Sequence, residues 1–269
     1  MTEFINPSTI LSSNYFEVVH EITIKSTEVV NKAKATYDIV LKSKRNEKYD
    51  VEINRLKFLV NEKEIENKFP LISNLYFESI FPLQFNINND SLELSNFNEV
   101  QQRVYKTDKF LKEKHVGEGL EYISVQFLEQ IENQEKANLF IKLLPIVSII
   151  NLTLKRYSKE SHVDFNWKIP TIGNIFFKLK SEKNNKDSIA YNANQIDKEE
   201  FIKILNTYRI QNKYDAITEK EDINLDIDFS SNIDYEDNNL NIVDLNTKCK
   251  IGLDKYFEYE ENITIKSVL

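Results

Sequence analysis

The sequence predicts an α+β fold, with long antiparallel β-meanders at both termini forming a curved sheet or partial barrel, packed against helices from the middle of the chain. Three observations carry this. The C-terminal part alternates strictly between apolar and polar residues, the N-terminal part does the same, and the interior switches to the longer period of amphipathic helices bounded by caps and breakers.

At the N-terminal end, Phe16, Val18, Ile22 and Ile24 line one face of a first strand. Ala33, Ala35, Tyr37, Ile39 and Leu41 line a second, and Tyr49, Val51 and Ile53 a third. Lys42 and Lys44 stand opposite Asp50 and Glu52 across a hairpin tipped by Arg45-Asn46-Glu47. Beyond Asn54 the apolar set changes parity to Leu56, Phe58 and Val60, which predicts a β-bulge near Arg55.

Pro70 suits the first turn of a short helix that buries Leu71, Ile72, Leu75 and Tyr76. A hairpin follows, from Phe81 to Ile87 and from Leu92 to Leu94, turning at Asn88-Asn89-Asp90-Ser91. Asn96, with Glu99 after it, reads as the cap of a helix with Phe97, Val100, Val104 and Leu111 on one stripe. Gly117 and Gly119 break that helix. Two more are expected, from about Glu121 to Glu132 and from Gln134 into the apolar stretch Leu139 to Leu152, the second kinked at Pro145. Interrupted by Lys142 and Pro145, this stretch is too short for a membrane span and reads as a buried helix.

Alternation returns with Val163, Phe165, Trp167 and Ile169, then Ile175, Phe177 and Leu179, then Ile189, Tyr191 and Ala193. A helix capped at Asp197 offers Phe201, Leu205 and Tyr208 to the core. The closing meander has inward Ile223, Leu225, Ile227, Phe229, Ile233 and Tyr235, then Val243, Leu245, Thr247, Cys249, Ile251 and Leu253, then Phe257, Tyr259, Ile263, Ile265 and Leu269. With the lysine strand in the middle, Lys248 and Lys250 face Asp226 and Asp228 on one side and Glu258 and Glu260 on the other. Such a solvated ladder fixes register rather than binding a cation.

The chain of 269 residues reads as a single globular domain, residues 1–269, with pseudo-symmetric halves 1–155 and 156–269 as a variant of that reading. The halves are suggested by a repeat: Tyr15-Phe16-Glu17 and Ile22-Thr23-Ile24-Lys25-Ser26 recur as Tyr256-Phe257-Glu258 and Ile263-Thr264-Ile265-Lys266-Ser267. Convergence in a chain rich in Ile, Lys and Glu is the plainer account; duplication is the other. Within the repeat, His20 and Glu261 occupy equivalent positions on the apolar faces of their strands. The plainer expectation is that both strands curl there and expose the two side chains. The alternative is that the terminal strands lie side by side and pair them, which would make the seam responsive to pH.

The net charge of -8 argues against a nucleic-acid partner. Four glycines provide no phosphate-cradling loop, and the three histidines His20, His115 and His162 are scattered. His115 with Glu118 lacks the second histidine of a zinc helix, and the single Cys249 faces inward on a strand. The reading is therefore no catalytic residues, no metal and no cofactor, with the inward pair His20 and Glu261 as the only binding candidate. The amino terminus has no basic-then-apolar leader, so a cytoplasmic location is expected, and the Asn, Lys and Ile bias suggests a microbial source. The first functional expectation is a non-catalytic soluble protein-binding, scaffold or accessory protein, a subunit of a larger assembly or a neutraliser of a partner protein. The alternative is a carrier of a lipid or other hydrophobic ligand in a half-barrel cavity. In outline, a curved meander around helices is similar to the half-barrel of periplasmic lipoprotein carriers, with no shared motif.

Overall fold

The computed structural model describes residues 14–26, 29–43, 50–155, 162–183, 187–218, 223–236 and 242–268. The predicted hairpin tip, Lys44, Tyr49 and Leu269 lie outside them. Strands β1 (Asn14–Ser26), β2 (Val29–Ser43) and β3 (Val51–Val60) open the chain, followed by helix α1 (Lys68–Ile80) and the hairpin β4 (Leu83–Asn88) and β5 (Ser91–Leu94). Helices α2 (Phe97–Lys114), α3 (Glu118–Gln130), α4 (Gln134–Lys142) and α5 (Pro145–Leu154) form the middle. Strands β6 (His162–Ile169), β7 (Gly173–Lys183) and β8 (Ser188–Ala193), helix α6 (Lys198–Gln211), and strands β9 (Leu225–Tyr235), β10 (Ile242–Leu253) and β11 (Phe257–Ser267) complete it.

The eleven strands among the described residues belong to one open antiparallel sheet in the order β5-β4-β3-β2-β1-β11-β10-β9-β8-β7-β6. Chain-adjacent strands are neighbours nearly everywhere, as short connections dictate. The one join that is not sequential is β1 against β11, in register from Phe16 opposite Ser267 to Ser26 opposite Phe257. The edge strand β6 also comes back over β11: Trp167 Nε1 donates to Glu261 Oε2 at 2.6 Å and to Tyr259 Oη at 3.1 Å. Phe165 and Phe229 pack at 5.2 Å between ring centres, so this end of the sheet curls around an aromatic filling. No ladder joins β6 to β11.

Alternation places the core where period two predicts, with Phe16, Val18, Ile39, Leu41, Val51 and Ile53 at one end and Phe229, Ile233, Leu245, Ile251, Tyr259 and Ile265 at the other all buried. On the outer face Lys250 Nζ sits 3.4 Å from Asp226, and Lys25 Nζ sits 2.8 Å from Glu258. These exposed pairs fix register more than they stabilise.

Five local readings need correction, the simplest being that Leu71 of α1 is exposed while Ile72 and Tyr76 are buried. The bulge lies at Lys57 rather than Arg55: Thr36 pairs Leu59 while Asp38 pairs Leu56, and Lys57 takes a left-handed φ of 51°. Arg55 therefore stays inward and Leu56 turns out to solvent, with Phe58 and Val60 returning inward after the extra residue. Similarly, a register shift beside Ile242 buries that residue and exposes Val243. Asn96 does not cap α2 with its side chain; its Oδ1 accepts from the Gln84 amide at 3.0 Å and its Nδ2 donates to the Pro82 carbonyl at 3.0 Å, tethering the helix to the preceding hairpin. The kink expected at Pro145 is a break between α4 and α5, which bend by 84°, because proline at the first position of α5 cannot continue the ladder of α4.

Helices α1, α2 and α3 are joined by Asp108, which accepts from Tyr76 Oη at 2.6 Å and Ser124 Oγ at 2.5 Å and lies 3.2 Å from Lys112 Nζ. Burial works to raise this carboxyl's pKa, but the Ser124, Tyr76 and Lys112 contacts outweigh it and hold the value below the usual aspartate range. A depressed folded-state pKa contributes stability above the unfolded value, near 3.9, that is lost as pH falls through the folded one. Asp108→Asn is accordingly expected to lower stability at neutral pH by about 1–3 kcal/mol. That deficit should shrink in urea melts taken progressively below about pH 4.

Candidate functional site

The inner face of β1–β3 does not close flat against the helices. A cavity of about 620 Å³ opens between it, the half-exposed face of α1 that carries Ser73, Asn74 and Phe77, the α4–α5 break and the turn after β6. Each boundary has a local cause. The bulge at Lys57 returns Phe58 inward beside Arg55. The bend at Leu143 and Leu144 holds α4 and α5 apart, and Pro170 with Thr171, the latter at a φ of 66°, turns the chain out of β6. Ile39, Phe81, Phe140, Ile146 and Glu261 are buried and form the floor, whereas Pro70, Lys168, Pro170 and Thr171 are exposed at the mouth. The walls are mainly apolar, and the volume lies within the roughly 300–1,000 Å³ of pockets that hold one small ligand.

The two residues singled out by their inward phase, His20 and Glu261, meet on this floor. His20 Nε2 lies 2.5 Å from Glu261 Oε1, with side-chain exposures of 21% and 1%. The plainer expectation of two exposed side chains is thus corrected, because pairing β1 with β11 puts Glu261 opposite Ile22, two residues along from His20 and on the same face. The other carboxylate oxygen accepts from Trp167 Nε1 and from the Tyr259 hydroxyl. Burial first, then the Glu261 charge, push the Tyr259 phenol well above its ordinary range, which keeps its proton available for donation. An ionised carboxylate only accepts, and all three neighbours can donate, so Glu261 is a satisfied buried group tying β11 to β1 and β6.

Arg55 is the cavity residue that sequence reading missed as a site. Its Nη2 donates to Asn74 Oδ1 at 2.8 Å, and its guanidinium carbon stands 4.5 Å from the Phe58 ring centre and 5.5 Å from that of Phe81. Its Nε is buried with no hydrogen-bond acceptor. Simple alternation from Val51 and Ile53 points Arg55 inward, a signal obscured by placing the bulge two residues early. Lys168 is the second: exposed along much of its length, it lines the mouth with Nζ 5.9 Å from the Phe140 ring centre, and desolvation by neighbouring protein lowers its pKa.

The remaining sequence candidates do not converge. His115 caps the end of α2, and His162 is exposed at the start of β6. Cys249 is fully buried, and burial pushes its thiol well up. Among the described residues no cluster of His, Cys, Asp and Glu has the geometry to hold a metal ion, and no single helix is long and apolar enough to cross a membrane.

No protein-family model matches the chain, and no curated protein matches it. A solved structure described as lipid-protein interactions in lipovitellin is similar over 95% of this chain at 6% identity and a TM-score of 0.48. The chain spans 25% of the length of that structure.

Proposed function

We propose that this chain is a non-catalytic binding protein that holds an apolar ligand in the cavity between β1–β3, α1 and the α4–α5 break. The observation that carries the reading is the cavity's form: a largely apolar recess with a buried floor, an open mouth and few polar groups, lined by Phe58, Phe77, Phe81 and Phe140. Unfilled apolar volume of this size forfeits packing contacts that a ligand would restore. The ligand site differs from the half-barrel lumen expected from sequence, since the curled end of the sheet is filled by Phe165, Trp167, Phe177 and Phe229.

A neutral, environment-sensitive dye such as Nile red tests this directly. Saturable binding at one site with a blue-shifted emission is expected, and it should be lost in Ser73→Trp, where an indole grows from α1 into the recess. Absence of saturable binding, or binding unchanged by that substitution, would refute the proposal.

Protein binding is a second reading, favoured by the exposed apolar side chains Tyr105, Phe110, Tyr122 and Val125 on α2 and α3. On this reading the helical layer meets a partner while the charged outer face of the sheet stays solvated.

A further inference from the structure

The cavity's charges narrow the class of ligand. Two cations line it, Arg55 and Lys168, against one carboxylate, Glu261. Glu261 is already engaged by His20, Trp167 and Tyr259. Among the described residues no ion pair joins Arg55 or Lys168 to a carboxylate; Glu78 shares Asn74 with Arg55, Asn74 Nδ2 donating to Glu78 Oε1 at 2.8 Å, and its charge at that longer range offsets only part of the burial of Arg55. The Nε of Arg55 adds a buried donor that has no acceptor among the described residues. Desolvation, by burial at Arg55 and by neighbouring protein at the exposed Lys168, lowers the pKa of both cations, a cost that an arriving anion would offset.

We infer that the ligand is an anionic amphiphile, its single apolar tail lying among Phe58, Phe77, Phe81 and Phe140 and its carboxylate or phosphate head pairing with the Arg55 guanidinium and the Lys168 ammonium. This rests on the apolar-cavity reading above and adds the head group to it. The planar fork of a guanidinium matches the paired oxygens of a carboxylate or phosphate, while a cationic or zwitterionic head would bring positive charge against two existing cations. The cavity volume of about 620 Å³ suits one small molecule rather than a bulk lipid store.

The test uses four ligands that share one tail, each below its micellar concentration: decanoate, decyl phosphate, decanol and decyltrimethylammonium, titrated calorimetrically into the full chain. At least one of the two anions should bind about 10- to 100-fold more tightly than decanol, with the cation weakest. Lys168→Met at the exposed mouth and Arg55→Met should each remove about tenfold of the anion affinity and leave decanol nearly unchanged. Because Arg55 is half-buried, Lys168→Met carries the test should Arg55→Met fail to fold. The stronger of decanoate and decyl phosphate identifies the head. Equal, saturable binding of all four would overturn the anionic ligand and leave the apolar cavity standing, whereas no binding by any would overturn both. An anion preference that survives both substitutions would overturn the assignment of the head to these two residues.

Discussion

Glu261→Ala is expected to destabilise the protein by about 3–5 kcal/mol, read from the shift in urea midpoint at constant slope. The side chain is 1% exposed, and three elements depend on it. Removing the carboxylate leaves the Tyr259 hydroxyl without its acceptor, the Trp167 indole N–H with only its longer 3.1 Å contact to Tyr259 Oη, and His20 without its partner. The cost is dominated by donors left unmade in a dry environment, not by the loss of an ion pair as such. Glu261→Gln separates the two. Its amide oxygen can still accept from Trp167 and Tyr259, and its N–H can donate to a neutral imidazole, so it should cost under about 2 kcal/mol. A cost below about 1 kcal/mol for the alanine variant would mean that the network does not form in solution.

That network also shows what a sequence can and cannot disclose. The inward phase of His20 and Glu261 follows from alternation alone, because neighbours such as Val18, Ile22, Tyr259 and Ile263 fix the face. Their meeting depends on which strand lies beside which, and no local pattern encodes that. The repeated segment held more information than its brevity suggested. Phe16 pairs Ser267 and Ser26 pairs Phe257, so a local two-fold through the Glu21–Asn262 pair relates each residue of the first copy to its counterpart in the second. The repeat is therefore centred on the seam itself. Trp167 could not have been assigned to Glu261 at all, since the contact depends on the curl of strands β6 to β11 accumulated across the sheet.

The terminal meanders were legible because each half-buried strand declares its face residue by residue. Departures occur where a single residue breaks the period. Lys57 at positive φ displaces the bulge and leaves Arg55 facing the cavity, and nothing about a lysine advertises that conformation. Asn96 carries the composition of a cap yet spends both ends of its amide on the hairpin. The cavity is illegible for a different reason: it is bounded by β1, β3, α1, the α4–α5 break and the turn after β6, segments far apart in sequence.

Val19→Pro is the sharpest test of the seam between the two sets of strands. Among the described residues, strands β1 to β5 and β6 to β11 are continuous with each other only through the β1–β11 ladder, in which Val19 stands opposite Thr264, while on its other side it stands opposite Thr36. Val19 is on the outer, half-exposed face, so its replacement empties no core site. Proline nevertheless deletes a backbone donor in a strand paired on both sides and forces a local kink, costing about 3 kcal/mol or more. Val19→Ala keeps the donor and should cost under about 1 kcal/mol, a loss of β-propensity alone. The form of the transition is as informative as its midpoint. If the sheet folds as one unit, the proline variant melts earlier but still in a single step, with tryptophan fluorescence at Trp167 and far-ultraviolet dichroism coinciding. Separate transitions for the two signals would show that strands on either side of β1 and β11 hold together without the seam. A proline that costs no more than alanine would show that β1 and β11 are not paired.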